Sequence, residues 1–187
     1  MKNLGYQSPL EELAEKFHLN PELLKTLNPG KQFESGAQII VPNAFGANPG
    51  KAASVVVQKS TSSVTALDAA GKPLAFYVAT IGSEHDPLPI GEWKITDIRF
   101  NPWFFYNSDL FWDANEAHAK AKIHPGPNNP VGVVWIALSK EHYGIHGTPV
   151  PSSIGHTQSH GCIRLTNWDA TELANLVAPG TPAIFKE

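Results

Sequence analysis

Cysteine occurs once in these 187 residues, at position 162, so an internal disulfide is excluded and the redox compartment cannot be read from cysteine usage. Arginine is nearly as scarce, present only as Arg99 and Arg164. With Lys+Arg at 14 against Asp+Glu at 17, the formal net charge of −3 leaves no broad basic surface for neutralising phosphates, and nucleic acid is not an expected partner. No run of about 18 apolar residues is present, so no membrane span is expected. Met1 to Gly5 do not lead into a signal-peptide core, and export would require a leader ahead of them. Internal repeats and low-complexity tracts are also missing. What remains is a chain 42% hydrophobic and 17% charged, typical of a globular protein with one fair-sized core and a small satellite.

The satellite is read at the N-terminus. Ser8-Pro9-Leu10-Glu11 combines a capping serine, a proline suited to the first helical position and a carboxylate able to close a capping box. Leu10, Leu13, Ala14 and Phe17 follow at helical spacing. A second start at Asn20-Pro21-Glu22 leads into Leu23, Leu24 and Leu27 before Asn28-Pro29-Gly30 stops it. Ile39-Ile40-Val41-Pro42 predicts a brief strand, which closes a first unit over residues 1–43. Residues 44–53, rich in Ala, Gly, Asn and Pro, read as a linker.

From residue 54 to 187 the texture is β. Strands are predicted at Val55–Val57, Val64–Leu67, Leu74–Ile81, Glu92–Phe100, Val131–Leu138, Tyr143–His146 and Ala183–Phe185. One helix is predicted over Thr166–Val177, where Thr166 and Asp169 form a capping box and Pro179-Gly180 end the run. Between about 101 and 129 lies an aromatic, proline-rich insert including Trp103, Phe104, Phe105, Tyr106, Phe111 and Trp112, which reads as a lid or groove wall unless its rings simply fill core.

Cys162 sits in a glycine-bearing turn, Ser159-His160-Gly161-Cys162-Ile163-Arg164. A thiol reacts well only when its pKa is drawn down from about 8.5 by a nearby imidazolium or backbone dipoles. His160 is two residues away, where the backbone usually turns a side chain aside. His146 ends a separate apolar run and can return beside the sulfur, so His146 is assigned as general base to a thiolate at Cys162. Gly161 removes a Cβ next to the nucleophile, so the amides of His160, Gly161 and Cys162 can turn toward one point as oxyanion donors, each contributing roughly 2.7–4 kcal/mol when judged by deletion. Ser159 can bond within the turn or orient the base. Arg164, two positions on, faces the same side in an extended run and is suited to a substrate carboxylate, with an ion pair to Asp169 or Glu172 as the alternative. A zinc site drawn from His142, His146, His156, His160 and Cys162 is a weaker reading, because their spacings match no familiar zinc pattern. His18, His85, His118 and His124 have no partner pattern and read as surface or packing residues. No cofactor is called for.

The string Tyr143-Gly144-Ile145-His146-Gly147-Thr148, then Ser153-Ile154-Gly155 and Ser159-His160-Gly161-Cys162-Ile163-Arg164-Leu165, closely resembles the signature of L,D-transpeptidase catalytic domains, the YkuD family. Weaker agreement runs through Pro89-Ile90-Gly91 and Pro125 to Pro130. The resemblance implies a mainly β fold of two mixed sheets in a sandwich-like arrangement, with one helix after the cysteine. It implies that Cys162 attacks a peptidoglycan stem between diaminopimelate and terminal D-alanine, with His146 as base, the turn around Ser159, His160 and Gly161 stabilising the oxyanion, and Arg164 and Tyr143 meeting substrate. A second stem's amine would resolve the thioester. A carboxypeptidase, a lipoprotein-attachment enzyme and a non-catalytic peptidoglycan-binding protein are the alternatives. Carbapenems are implied inhibitors, and the periplasm or cell envelope the implied location. Leu10 to Pro42 resembles a lysin motif, a glycan-binding module, but its usual first strand and Gly-Asp-Ser/Thr start are missing.

Overall fold

Two proline-led helices open the described chain. The computed structural model describes residues 4–6, 8–42, 50–107, 120–159 and 161–187. Helix α1 (Pro9–Lys16) is capped by Ser8, which accepts from the Glu11 amide, and helix α2 (Pro21–Leu27) by Asn20, which accepts from the Glu22 amide at 2.8 Å. Each proline stands where a helix has no N–H partner to lose. The strand predicted at Ile39–Val41 does not form. Instead the buried Asn28 amide donates to the Ile40 carbonyl at 2.8 Å and its oxygen accepts the Ile40 N–H at 2.6 Å. One side chain thus takes the place of the partner strand that this segment lacks among the described residues.

The rest is mainly β. In chain order come β1 (Ser54–Gln58), β2 (Ser63–Leu67), β3 (Pro73–Val78), β4 (Thr80–Ile81), β5 (Gly91–Phe100), β6 (Phe104–Tyr106), β7 (Ala121–Ile123), β8 (Val134–Leu138), β9 (Gly144–His146), β10 (Ile163–Arg164), helix α3 (Asn167–Leu176) and β11 (Pro182–Lys186). Nine strands form one mixed ribbon in the order β3-β2-β1-β11-β5-β8-β9-β10-β4, and β6 pairs with β7 alone. The β1/β11 and β9/β10 pairs are parallel and the others antiparallel. The two expected sheets are joined through β5. Its first half pairs with β11 (Lys94 opposite Pro182), its second half with β8 (Phe100 opposite Val134), and a register shift between Ile95 and Asp97 separates them. Such a bulge bends and twists a strand, which lets one long strand serve both halves.

Two predicted strands are redrawn. The run Leu74–Ile81 divides at Ala79: β3 pairs with β2, whereas β4 crosses to β10. Val131 to Val133 form a turn rather than strand, because Asn129 accepts the Val131 amide, Gly132 turns at a φ of 63°, and the Val133 amide is taken by Asn167. Thr166 caps α3 through the Asp169 amide, as the capping box requires, but the Asp169 carboxylate turns to His18, 2.6 Å away. His18 is therefore a docking residue and not an unpartnered surface histidine.

Alternation along β8 buries Val134, Ile136 and Leu138, which join Ile145, Ile163 and the apolar side of α3 (Ala170, Leu173, Ala174) in the core. Each such aliphatic side chain contributes about 1.5–3 kcal/mol on burial. The opposite face of β8–β9–β10 is left for chemistry. The N-terminal unit leans on this body: α1 packs against α2, α3 and the 3-10 turn Pro151–Ser153. Leu4 also exchanges backbone bonds with the Pro125–Asn128 loop. Of the aromatic insert, residues 108–119 lie outside the described residues. The described part carries the β6/β7 pair, with Phe104 opposite Ile123.

Candidate active site

Strand pairing decides which side chains meet. β9 and β10 run parallel with Ile163 beside Ile145 and Arg164 beside His146, and β8 sets Trp135 opposite His146. Since successive side chains alternate, burying the isoleucine row turns Trp135, His146 and Arg164 to the other face, and Cys162 stands in the bend just before β10. The Leu165 amide bonds the His146 carbonyl at 2.9 Å and closes the end of this ladder.

His146 is buried at 4% exposure. Its Nδ1 lies 2.7 Å from the Gly147 carbonyl oxygen. A carbonyl only accepts, so Nδ1 carries the proton and Nε2 presents a lone pair, the tautomer a base needs. Trp135 stacks on the imidazole with ring centroids 5.4 Å apart and planes at 20°. That ring also crosses Gly144, where an added Cβ would fall 2.6 Å from Trp135. Burial pulls the His146 pKa down from 6.5 to about 4, with the Arg164 charge adding to the effect and the Gly147 carbonyl opposing it. At neutral pH the imidazole is uncharged.

Cys162 is partly buried and its thiol donates to the His142 carbonyl at 3.7 Å. Burial pushes the thiol pKa up, against the downward pull of the Gly144 backbone and the Arg164 guanidinium. Both shifts point toward a protonated thiol and a neutral imidazole rather than toward the thiolate expected from the sequence, because desolvation penalises each charged form.

The turn before the sulfur is tightly built. Ser159, buried at 2%, donates from its hydroxyl to the Cys162 carbonyl at 2.6 Å and from its amide to Gly82 at 3.0 Å. It closes the turn and does not touch the base. Gly161 adopts a φ of 89°, and a Cβ there would sit 2.8 Å from the Tyr143 ring, so glycine is required by both conformation and space. Tyr143 therefore lines the nucleophile's turn. His160 lies outside the described residues. Arg164 donates to the Gln158 carbonyl at 3.4 Å, while its alternative partners Asp169 and Glu172 face His18 at 2.6 and 3.8 Å.

Sequence reasoning missed Asn167. Buried at 2%, it donates to the Thr148 carbonyl at 3.0 Å and the Pro127 carbonyl at 3.2 Å and accepts the Val133 amide at 3.1 Å. It ties the segment after His146 to the start of β8. A Cβ on Gly132 or Gly147 would collide with its oxygen, a meeting that no pattern in the sequence announces. Also missed were Trp135 and the Gly82–Asp86 loop, whose Asp86 acts electrostatically on Tyr143 and Cys162.

Residues 52–185 match the family described as the L,D-transpeptidase catalytic domain, YkuD. The chain belongs to the L,D-transpeptidase family. It is 31% identical over 175 residues to a Bacillus licheniformis protein named "Putative L,D-transpeptidase YkuD", covering 92% of this chain and 90% of that one. Among solved structures it resembles L,D-transpeptidase 3 of Mycobacterium tuberculosis in complex with a faropenem-derived adduct, at a TM-score of 0.57 and 19% identity over 71% of this chain and 59% of that chain. It also resembles the LD transpeptidase LdtMt1 in complex with imipenem, at 0.54 and 19% over 70% and 57%. The chain spans less than two thirds of the length of those two structures, and at such identity they support the L,D-transpeptidase fold. Among the described residues, the one group of three His, Cys, Asp or Glu ligand atoms that converges is His18, Asp169 and Glu172, which includes neither Cys162 nor His146.

Proposed function

We propose that this protein is a cysteine L,D-transpeptidase that acts on peptidoglycan stem peptides in the cell envelope and joins diaminopimelate to diaminopimelate. The observation that supports the reading is the parallel β9/β10 register, which pairs Arg164, two residues after Cys162, with His146, whose Nδ1 bond to Gly147 leaves the lone pair on Nε2. Nε2 takes the thiol proton as sulfur attacks the carbonyl between diaminopimelate and the terminal D-alanine. The tetrahedral oxyanion is met by the amides of the Gly161–Cys162 turn, with that of His160 assigned by resemblance. Collapse breaks the C–N bond, and the imidazolium returns its proton to the departing D-alanine amine, leaving a thioester. The side-chain amine of a second stem then attacks, His146 takes its proton, and the thiolate leaves and is reprotonated. Because both groups rest neutral, the proton moves with the attack and no preformed ion pair is needed. Arg164 and Tyr143, beside the turn, are assigned to substrate contact.

Incubation with a disaccharide tetrapeptide, read by mass, tests this. The expected product is a cross-linked dimer lacking one D-alanine, absent with Cys162→Ala. A tripeptide without dimer would replace the reading by a carboxypeptidase, and unchanged substrate by a binding protein. The reading also predicts that imipenem adds its mass to the wild-type chain and not to Cys162→Ala.

A further inference from the structure

Along β8 the residues Val134, Ile136 and Leu138 point into the core, so Trp135 points to the opposite face, where it stays partly exposed. Its cross-strand neighbours on that face are Arg99 on β5 and His146 on β9. Arg99 is 71% exposed and engaged by Asp97 at 2.6 Å, so on that side the indole borders a solvated ion pair. On the other side it lies along the imidazole, with ring centroids 5.4 Å apart and planes at 20°. A large aromatic placed between an ion pair and a histidine is not there to fill core.

Gly144 makes the room for this stack. It lies two residues before His146 on β9 and so shares its face, and a Cβ there would stand 2.6 Å from the indole. Its φ is outside the left-handed region, so conformation does not call for glycine. Space does, since glycine inside a strand otherwise weakens it.

The stack supplies what the hydrogen bond to Gly147 cannot. That bond, 2.7 Å from Nδ1, holds one atom of the ring, while the torsion that turns an imidazole about its Cβ–Cγ bond is broad. An indole laid along the ring restrains its plane, and with it the direction of Nε2. It also keeps water from one face of the ring. Burial is the main reason that the His146 pKa falls, and Arg164 on β10 is the charged side chain that adds to the effect.

We propose that Trp135 is a positioning residue for the catalytic base: it fixes the plane of the His146 imidazole from outside the core, and Gly144 leaves the space it occupies. Trp135 acts here only through His146, so its role rests on the reading of that histidine as base.

The first measurement leaves the reaction aside. In the full chain with Cys162→Ala and carbon-13-labelled histidine, the His146 signal, assigned by its loss in His146→Gln, should titrate near the value of about 4. Trp135→Leu should raise that midpoint by about one pH unit or more toward 6.5, as water regains the ring. Trp135→Phe, which keeps a flat ring, should raise it by less than about half a unit. Gly144→Ala should raise it too, by pushing the indole aside, and should add nothing in a chain that already carries Trp135→Leu. The second measurement is acylation by imipenem, with Cys162 intact, at pH 7.5, above all these midpoints, so that rates report orientation rather than charge. Trp135→Leu should slow it by roughly tenfold or more, and Trp135→Phe restore it to within about threefold of wild type. If Trp135→Leu does not fold, Gly144→Ala takes its place in both measurements. A midpoint unmoved by Trp135→Leu, a rate within about threefold of wild type, or an equal loss in the Leu and Phe variants would overturn the proposal. If the wild type takes up no imipenem, the reading of Cys162 and His146 fails on its own, and the titration still decides whether Trp135 holds the ring.

Discussion

The face of β8–β9–β10 and the cleft under α1 both gather ionisable groups, buried at His146 and partly open to solvent at His18 and Glu172, and they hold them by different means. Around Cys162 and His146 the partners are main chain: the Gly147 carbonyl on the base, the His142 carbonyl on the thiol, and the Cys162 carbonyl on Ser159. In the cleft they are side chains with net charge, His18 against Asp169 and Glu172, and Tyr6 donating to Glu15 at 2.6 Å. Backbone partners have one protonation state and a position fixed by the sheet. Charged side chains answer to pH, salt and added ions. The first region is therefore suited to constant chemistry, the second to conditional docking.

The largest effect that would sharpen this contrast comes from His146→Gln, which keeps a side chain able to hydrogen-bond but loses the base. Thioester formation with imipenem, followed by mass, should slow by roughly 10²–10⁴. In the wild type the rate should fall as pH drops toward about 4, where His146 protonates, and level off above that range, since the neutral imidazole takes the thiol proton during the attack. A rate that instead kept rising well above neutrality would mean that free thiolate, and not the base-assisted thiol, is the attacking species.

Next is Asn167→Ala. It strands two carbonyls and one amide in the interior, so stability should drop by about 2–4 kcal/mol, seen as a thermal midpoint lower by roughly 5–15 °C. Asn167→Asp should fare little better, since a carboxylate cannot donate to the Thr148 and Pro127 carbonyls. If instead the loss were small, the backbone alone would suffice to hold the segment after His146.

Of similar size is the acid response of the fold. An unfolded chain takes up a proton at His146 below about 6.5, whereas the native one resists until about 4. This contribution is therefore complete above pH 6.5 and lost as pH falls through that window, by on the order of 3 kcal/mol. Chemical denaturation of wild type and His146→Gln at pH 7 and pH 4.5 should show the variant losing less on acidification.

Smallest of all, Lys25→Ala removes a pair with Glu22, 2.8 Å apart and open to solvent. Stability should shift by no more than about 0.5 kcal/mol, and transpeptidation not at all. A larger change would show that surface charge in the N-terminal unit reaches the catalytic sheet.

Much of the architecture was legible because its signals are local. Ser8, Asn20 and Thr166 each announced a helix start, and alternation located most strands. The division of Leu74–Ile81 was not, since every residue there favours strand and only the choice of partner separates β3 from β4. Ile39–Val41 misled for the complementary reason: strand-forming residues make no strand without a second one, and Asn28 took the vacancy. The family was legible from a dense motif around His146 and Cys162, but the direction in which their pKa values shift was not, because desolvation is set by what folds over them. His18 and Asp169 are 151 positions apart, and Asn167 contacts residues 19, 34 and 40 positions away. No periodic or spaced pattern reports such meetings.

That the Gly147 oxygen orients His146 has a genetic corollary. An amide oxygen is present whichever amino acid occupies a position, so no codon change deletes it, and the aspartate or asparagine that other catalytic histidines depend on is not a point of failure here. A single substitution that breaks this contact while keeping His146 would have to act through the shape of the loop that carries the oxygen, leaving the acceptor itself beyond the reach of ordinary mutation.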